Sequence, residues 1–287
     1  MAGVPTNRTN ITLPPEVSAE ILAKTQEASA VMSLARQISL PGRGVSIPVI
    51  TGDPQAAWVG ETEAKPVSNP SLSTKVMEAY KLAVIVSFSN EFARDAAALY
   101  DELVRRLPLA LAQKFDATVI GAVQAPGSNF DTFAAATAQN ITAPNTYSSL
   151  VAADTDIATH SGIMNGIALS PQGKSVLLGA VDDNKRPLFI NNVSEGAVPM
   201  VLGAKTVLSK GVYDGTNNVV GIAGDWTQAM YGTVEGVKID YSSDATLDIG
   251  SGNVINLFQQ NMFAVRAEIE IGFRADVDCF NRLTVTP

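Results

Sequence analysis

Residues 87–121 carry apolar side chains at a helical period for longer than the core helix of a small domain needs. Phe92, Ala96, Leu99, Leu103, Leu107, Leu111, Phe115 and Val119 follow in steps of three or four, which puts them on one face of a 3.6-residue helix. Glu91, Asp95, Asp101, Arg105 and Lys114 fall on the other face. Ser89 is an expected N-cap, with Glu91 beside the positive end of the helix dipole. Pro108 removes one intrahelical hydrogen bond and predicts a bend or two abutting helices. Some thirty residues at ~1.5 Å each make a rod about 45 Å long.

The segments before this rod bury little. An amphipathic stripe of Val17, Ile21, Ala28, Met32 and Ala35 predicts a helix opening near Pro14 and Pro15, on an otherwise extended arm. QISLPGRGVSIPVI, residues 37–50, reads as strand on both sides of a turn. Residues 51–69 are polar and rich in Pro and Gly, and a strand ending in KLAVIVSF follows. Two strands flanking a long polar tip describe an extended hairpin with too little apolar surface for a core of its own. After the rod come a linker over 127–145, a helix over 147–160, a buried strand over 165–170 and a helix behind Pro171. Strands are expected over 198–208, 219–223, 237–241, 264–273 and 282–286. Helices and strands mix without βαβ alternation, so the fold class is α+β.

A formal net charge of −8 argues against a nucleic-acid reader, which needs clustered Lys and Arg. Low aromatic content suits an extended, strand-rich chain better than an enzyme with a deep aromatic pocket. The single cysteine, Cys279, excludes a disulfide framework and reads as a small buried thiol. No signal-peptide pattern and no apolar run of ~18 residues occurs, so neither secretion nor a membrane span is inferred. Residues 171–175, PQGKS, end like a phosphate-binding loop, but Ala168 stands where the first glycine belongs. His160, the lone histidine, follows Asp154 and Asp156; a small-molecule enzyme using His160 and Asp156 is a rival reading. The four N-x-S/T sequons at Asn7, Asn10, Asn140 and Asn192 are expected from chance in a chain rich in Asn and Thr. A protruding hairpin, an arm and a long rod must instead be buried by neighbours, which favours an obligate assembly.

Several stretches resemble the major capsid proteins of tailed bacteriophages with the Hong Kong 97 type fold. Ala57-Trp58-Val59-Gly60-Glu61, Lys65-Pro66, Tyr80-Lys81-Leu82-Ala83 and Ser89-Asn90-Glu91-Phe92 with Asp95 are similar to that family's E-loop leading into its spine helix. Asp183, Arg186-Pro187-Leu188-Phe189, Val201-Leu202-Gly203 and Ala223-Gly224-Asp225-Trp226 resemble its axial domain. The stretch from Leu257 to Met262, with Ala264, Arg266-Ala267-Glu268 and Gly272, resembles its returning peripheral strands. The resemblance implies an N-terminal arm at 1–36, an E-loop at 37–88, a peripheral domain at 89–145 plus 264–287, and an axial domain at 146–263.

It further implies a structural protein without catalysis or cofactor. Pentamers and hexamers of itself would enclose double-stranded DNA, touched only weakly and non-specifically, in a virion assembled in the host cytoplasm. A portal and a decoration protein are implied partners, and with the arm expected to start at Met1, scaffolding is expected from a separate protein. E-loop contacts would come from Trp58, Glu61, Glu63, Lys65 and Lys75, and spine-helix contacts from Arg94, Asp95, Arg105 and Arg106. Some members crosslink an E-loop Lys to an Asn with help from a Glu. Lys65 or Lys75 with Asn261 and Glu268 could form such a set, ordinary salt bridges being the alternative. An encapsulin-type compartment shell shares the fold and is the alternative function.

Overall fold

The computed structural model describes residues 15–41, 47–49, 75–90, 96–182, 184–189, 200–234, 236–250 and 253–286. The chain opens with helices α1 (Pro15–Ala28) and α2 (Ala30–Leu34), then strands β1 (Arg36–Ser39), β2 (Ile47–Val49), β3 (Lys75–Met77) and β4 (Tyr80–Ser89). Helix α3 (Ala96–Ile120) leads to β5 (Thr137–Asn140), α4 (Thr146–Thr159), β6 (Gly166–Leu169) and α5 (Pro171–Leu178). Strands β7 (Met200–Val201), β8 (Ala204–Leu208), β9 (Val219–Gly224), β10 (Ala229–Thr233) and β11 (Lys238–Ser242) follow. The chain closes with β12 (Thr246–Asp248), β13 (Val254–Asn256), β14 (Met262–Ala275) and β15 (Phe280–Thr284). Mixed helices and sheets bear out the α+β expectation.

Two sheets organise these elements. In the first, β14 is long enough for three antiparallel partners: β4 from Met262↔Ser89 to Ile271↔Tyr80, β11 over Ala264–Glu268, and β10 at its end. Its alternation buries Phe263, Val265, Ala267, Ile269, Ile271 and Phe273, while Arg266, Glu268 and Glu270 take the other face. Leu82, Val84, Val86 and Phe88 of β4 pack against the same core, and Phe88 stacks on Phe263 with ring centres 5.5 Å apart. The second sheet runs β5-β15-β9-β6-β8-β7. Its central β6 and β9 are buried throughout, as continuous apolar runs require; α4 seals one face through Leu150, Ala153 and Ile157. Between the sheets lies an aromatic cluster in which Phe133 meets Phe280 at 4.4 Å, and Phe273 and Trp226 meet Phe133 edge-on.

Helix α3 buries Leu107, Leu111, Phe115 and Val119 and exposes Arg105 and Lys114, as its periodicity demands. Pro108 lies inside one continuous helix and does not divide it. Ser89 is the last residue of β4, paired with Met262, and caps no helix; the apolar alternation of KLAVIVSF carries the strand past the expected boundary. Two strands flank the hairpin as expected, but β1 and β2 take different partners, β10 and β3. The single strand expected over 198–208 is a β7–β8 hairpin, turned by Leu202 and Gly203 at φ 49° and 82°. The predicted 127–145 linker contains β5, whose TAQN sequence has no strand signature and pairs only because β15 offers an edge.

One carboxylate joins three of these parts. Asp116, fully buried on α3, has Oδ1 accepting from Ser29 Oγ at 2.6 Å and Val31 N at 3.3 Å. Its Oδ2 accepts from Ser209 Oγ at 2.6 Å and Ala30 N at 3.0 Å. Ser29 Oγ also accepts from Met32 N, and Ser209 Oγ from Gly211 N, so both hydroxyl protons are left to point at Asp116. Asp116 thereby accepts two of the first N–H groups of α2 and holds the hydroxyl of Ser209, which itself caps the turn at 209–211. A side chain at 211 would stand 2.6 Å from Gln113 O, so only glycine lets that turn approach α3 this closely. Burial pushes the Asp116 carboxyl up, while the hydrogen bonds from Ser209, Ser29, Ala30 and Val31 pull it down. Four donors and no acceptor around two oxygens fit the ion better than the acid. Asp116→Asn, whose amide confronts two of those donors, is therefore expected to lower folding stability by about 3 kcal/mol in urea unfolding. Wild-type stability in that variant would show a neutral carboxyl.

Candidate intersubunit surface

The base of the hairpin is fixed by residues that sequence reading passed over. Arg274, only 6% exposed near the end of β14, donates through Nε and Nη2 to Val76 O on β3. Its Nη1 reaches Asp131 Oδ1 at 2.8 Å and Nη2 reaches Asn129 Oδ1 at 2.9 Å. Asp131 Oδ2 also accepts from Ala275 N. The planar guanidinium thus satisfies a strand carbonyl and two loop side chains together. Beneath it, Met77, Leu40 and Met230 form a small apolar cluster. No local signal marks this anchor, since β14 also carries Arg266, an exposed charge, at a similar place in its pattern.

Of the expected E-loop contacts, Trp58, Glu61, Glu63 and Lys65 lie outside the described residues, and Lys75 opens β3. Arg94 and Asp95 also lie outside them, while Arg105 and Arg106 are exposed on α3. Asn261 follows the β12–β13 hairpin at φ 52°, its Oδ1 accepting from Asn90 Nδ2 at 2.8 Å. Glu268, its side chain 14% exposed, sits on β14 within a charge ladder. Lys81 Nζ stands 3.4 Å and Arg266 Nε 3.2 Å from its carboxylate, and Arg266 Nη2 bonds Asp240 at 2.7 Å. Seven residues of strand put Asn261 and Glu268 about 23 Å apart in one subunit, so a bond-forming set would have to draw them from different copies.

The rival enzyme groups do not converge. His160 Nδ1 lies 2.9 Å from the backbone oxygen of Asp156, whose carboxylate instead accepts from Asn281 Nδ2. Among the described residues no three His, Cys, Asp or Glu side chains are grouped to hold a metal. PQGKS forms the first turns of α5, with Ser170 Oγ already accepting from Gly173 N, so that N–H is not free for a phosphate. Cys279 is 4% exposed, and burial, aided by Asp276, Asp225 and Asp278, raises its thiol to about 11. No described helix is long and apolar enough to cross a membrane.

Apolar side chains face outward elsewhere. Ile249, Val254 and Phe258, on and just after the β12–β13 hairpin, are 62%, 59% and 78% exposed. Tyr147 and Val151 stand one turn apart on the outer face of α4.

Comparison with known proteins gives this arrangement its relatives. Residues 9–276 match the profile of the phage capsid family. The probable major capsid protein gp17 of Mycobacterium phage L5 is 32% identical over 301 residues, covering 95% of this chain and 89% of that protein. The major capsid protein of Staphylococcus phage 80alpha is 25% identical over 288 residues, covering 95% and 84%. A solved structure from Microbacterium phage Oxtober96 shares the fold at a TM-score of 0.70 and 19% identity, covering 100% of this chain and 96% of its own. The capsid of an empty GTA particle computed with C5 symmetry gives 0.61 at 13% identity, covering 91% and 90%.

Arg274→Ala removes the guanidinium ties between Val76 and the 129–131 loop, leaving Tyr80 Oη accepting from Asn129 N and packed on Phe130. It is expected to cost about 3–5 kcal/mol and to speed proteolysis between residues 41 and 75; Arg274→Lys restores little, lacking the planar fork.

Proposed function

The chain belongs to the phage capsid family, and from that premise we propose how its parts build a shell. It is a structural major capsid protein of a tailed phage, with the Hong Kong 97 type fold. The encapsulin alternative is not favoured, since the matched relatives are phage capsid proteins along nearly the whole chain. Subunits associate as pentamers and hexamers and close an icosahedral shell around double-stranded DNA in the host cytoplasm, performing no catalysis. The net charge of −8 supports weak, non-specific contact with that DNA, since the wall repels a polyanion. A portal and a separate scaffolding protein complete assembly, and a decoration protein can be added.

In this reading 1–36 is the arm, 37–88 the E-loop, 89–145 with 264–287 the peripheral domain and 146–263 the axial domain. One observation carries the intersubunit role of the E-loop: its base is locked by Arg274, while the 25 residues from 50 to 74 stand between two three-residue strands. Trp58, Glu61, Glu63, Lys65 and Lys75 make its contacts with a neighbour, and Arg94, Asp95, Arg105 and Arg106 those of the spine helix. The engagement of Glu268 by Lys81 and Arg266 supports ion pairing over crosslinking to Asn261.

Deleting residues 52–70 is expected to leave a folded subunit that closes no shells, as seen by electron microscopy of material coexpressed with its neighbouring genes; normal particles would overturn the assignment. Boiled particles on a denaturing gel are expected to run as one band near 30 kDa. A ladder would instead establish crosslinking.

A further inference from the structure

A cleft of about 410 Å³ opens where α2 hands over to β1 and the two sheets meet. Leu34 forms its accessible apolar side, with Ala35 and Trp226, 9% and 2% exposed, behind it and Asn165 beside them. Arg36 and Lys205 line it as exposed cations for which no described residue provides an acidic partner. The carboxylate of Asp225, next to Trp226 in sequence, is buried and occupied by Ile163 N, Asn165 Nδ2 and both Thr227 donors. Strand β1, which starts at Arg36, is paired on one side only among the described residues, to β10. Its other edge offers backbone groups to an extended chain. Two unpaired cations, an apolar wall and an open strand edge together fit a polypeptide with carboxylates and a large apolar side chain. Double-stranded DNA supplies phosphates but neither of the other two features.

We infer that this cleft receives residues 52–64 of a second copy of the chain. That segment carries Asp53, Glu61 and Glu63 with no basic residue before Lys65, and it holds Trp58 and Val59. Its charge is opposite to that of Arg36 and Lys205, and its apolar side chains match the partly exposed Leu34. The N-terminal residues 1–14 have no acidic side chain and do not match. The inference rests on the shell reading above and names the surface on which the hairpin tip lands.

Charge reversal at each partner tests it. Arg36→Glu with Lys205→Glu changes two exposed, unpaired side chains, so the subunit should melt within a few degrees of wild type. Closed shells, counted by electron microscopy, should fall at least tenfold. Glu61→Lys with Glu63→Lys should do the same. Combining all four substitutions in one chain should restore shells, because every altered tip then meets an altered cleft of opposite charge on its neighbour. Normal shells from the Arg36/Lys205 variant would overturn the assignment even if deleting 52–70 abolishes them, leaving the broader reading standing. No restoration in the fourfold variant would equally overturn it, placing the contact with another partner such as DNA. Normal shells after the deletion would instead remove the reading on which the inference rests.

Discussion

Everything near the middle of this subunit depends on where the charge of Asp116 can be satisfied. A carboxylate out of reach of water must find hydrogen-bond donors, and the four it finds come from two segments far apart in sequence. Ser29 and its neighbours belong to the first helices, and Ser209 to the second sheet. Bringing those donors to one helix fixes the N-terminal helices and the second sheet against α3 more specifically than apolar packing alone could. Apolar contacts tolerate sliding, whereas a carboxylate with two serines at 2.6 Å does not.

The periodic elements were legible in the sequence because burial writes them there. Leu107, Leu111, Phe115 and Val119 mark α3, and the alternation from Phe263 to Phe273 marks β14. Elements created by a partner's edge were not legible. Strand β5 is TAQN, and β10 is a buried AMYGT that pairs because β14 runs beside it. Ser89 misled because its capping chemistry is local, while its position in β4 is set by Met262 across the ladder.

Polar anchors were the hardest to read. Asp116 and Arg274 each sit one position away from a buried aromatic, and nothing local distinguishes them from solvated charges. Their partners lie 87 and 93 residues away for Asp116 and 143 to 198 away for Arg274, distances that no local pattern encodes. Family membership supplied the overall architecture, but the residues that tie the hairpin to the body emerged only from geometry.

Strand β14 has a mechanical consequence. Arg274 grips the hairpin base near the end of the strand that is hydrogen-bonded to β4, β10 and β11, and a short turn later the chain enters the second sheet as β15. A pull on the hairpin therefore runs through a guanidinium into one continuous strand and spreads as shear over many parallel hydrogen bonds. None of that load crosses a long loop. The root of the hairpin is thereby tied directly to the strand that also carries the main core of the first sheet.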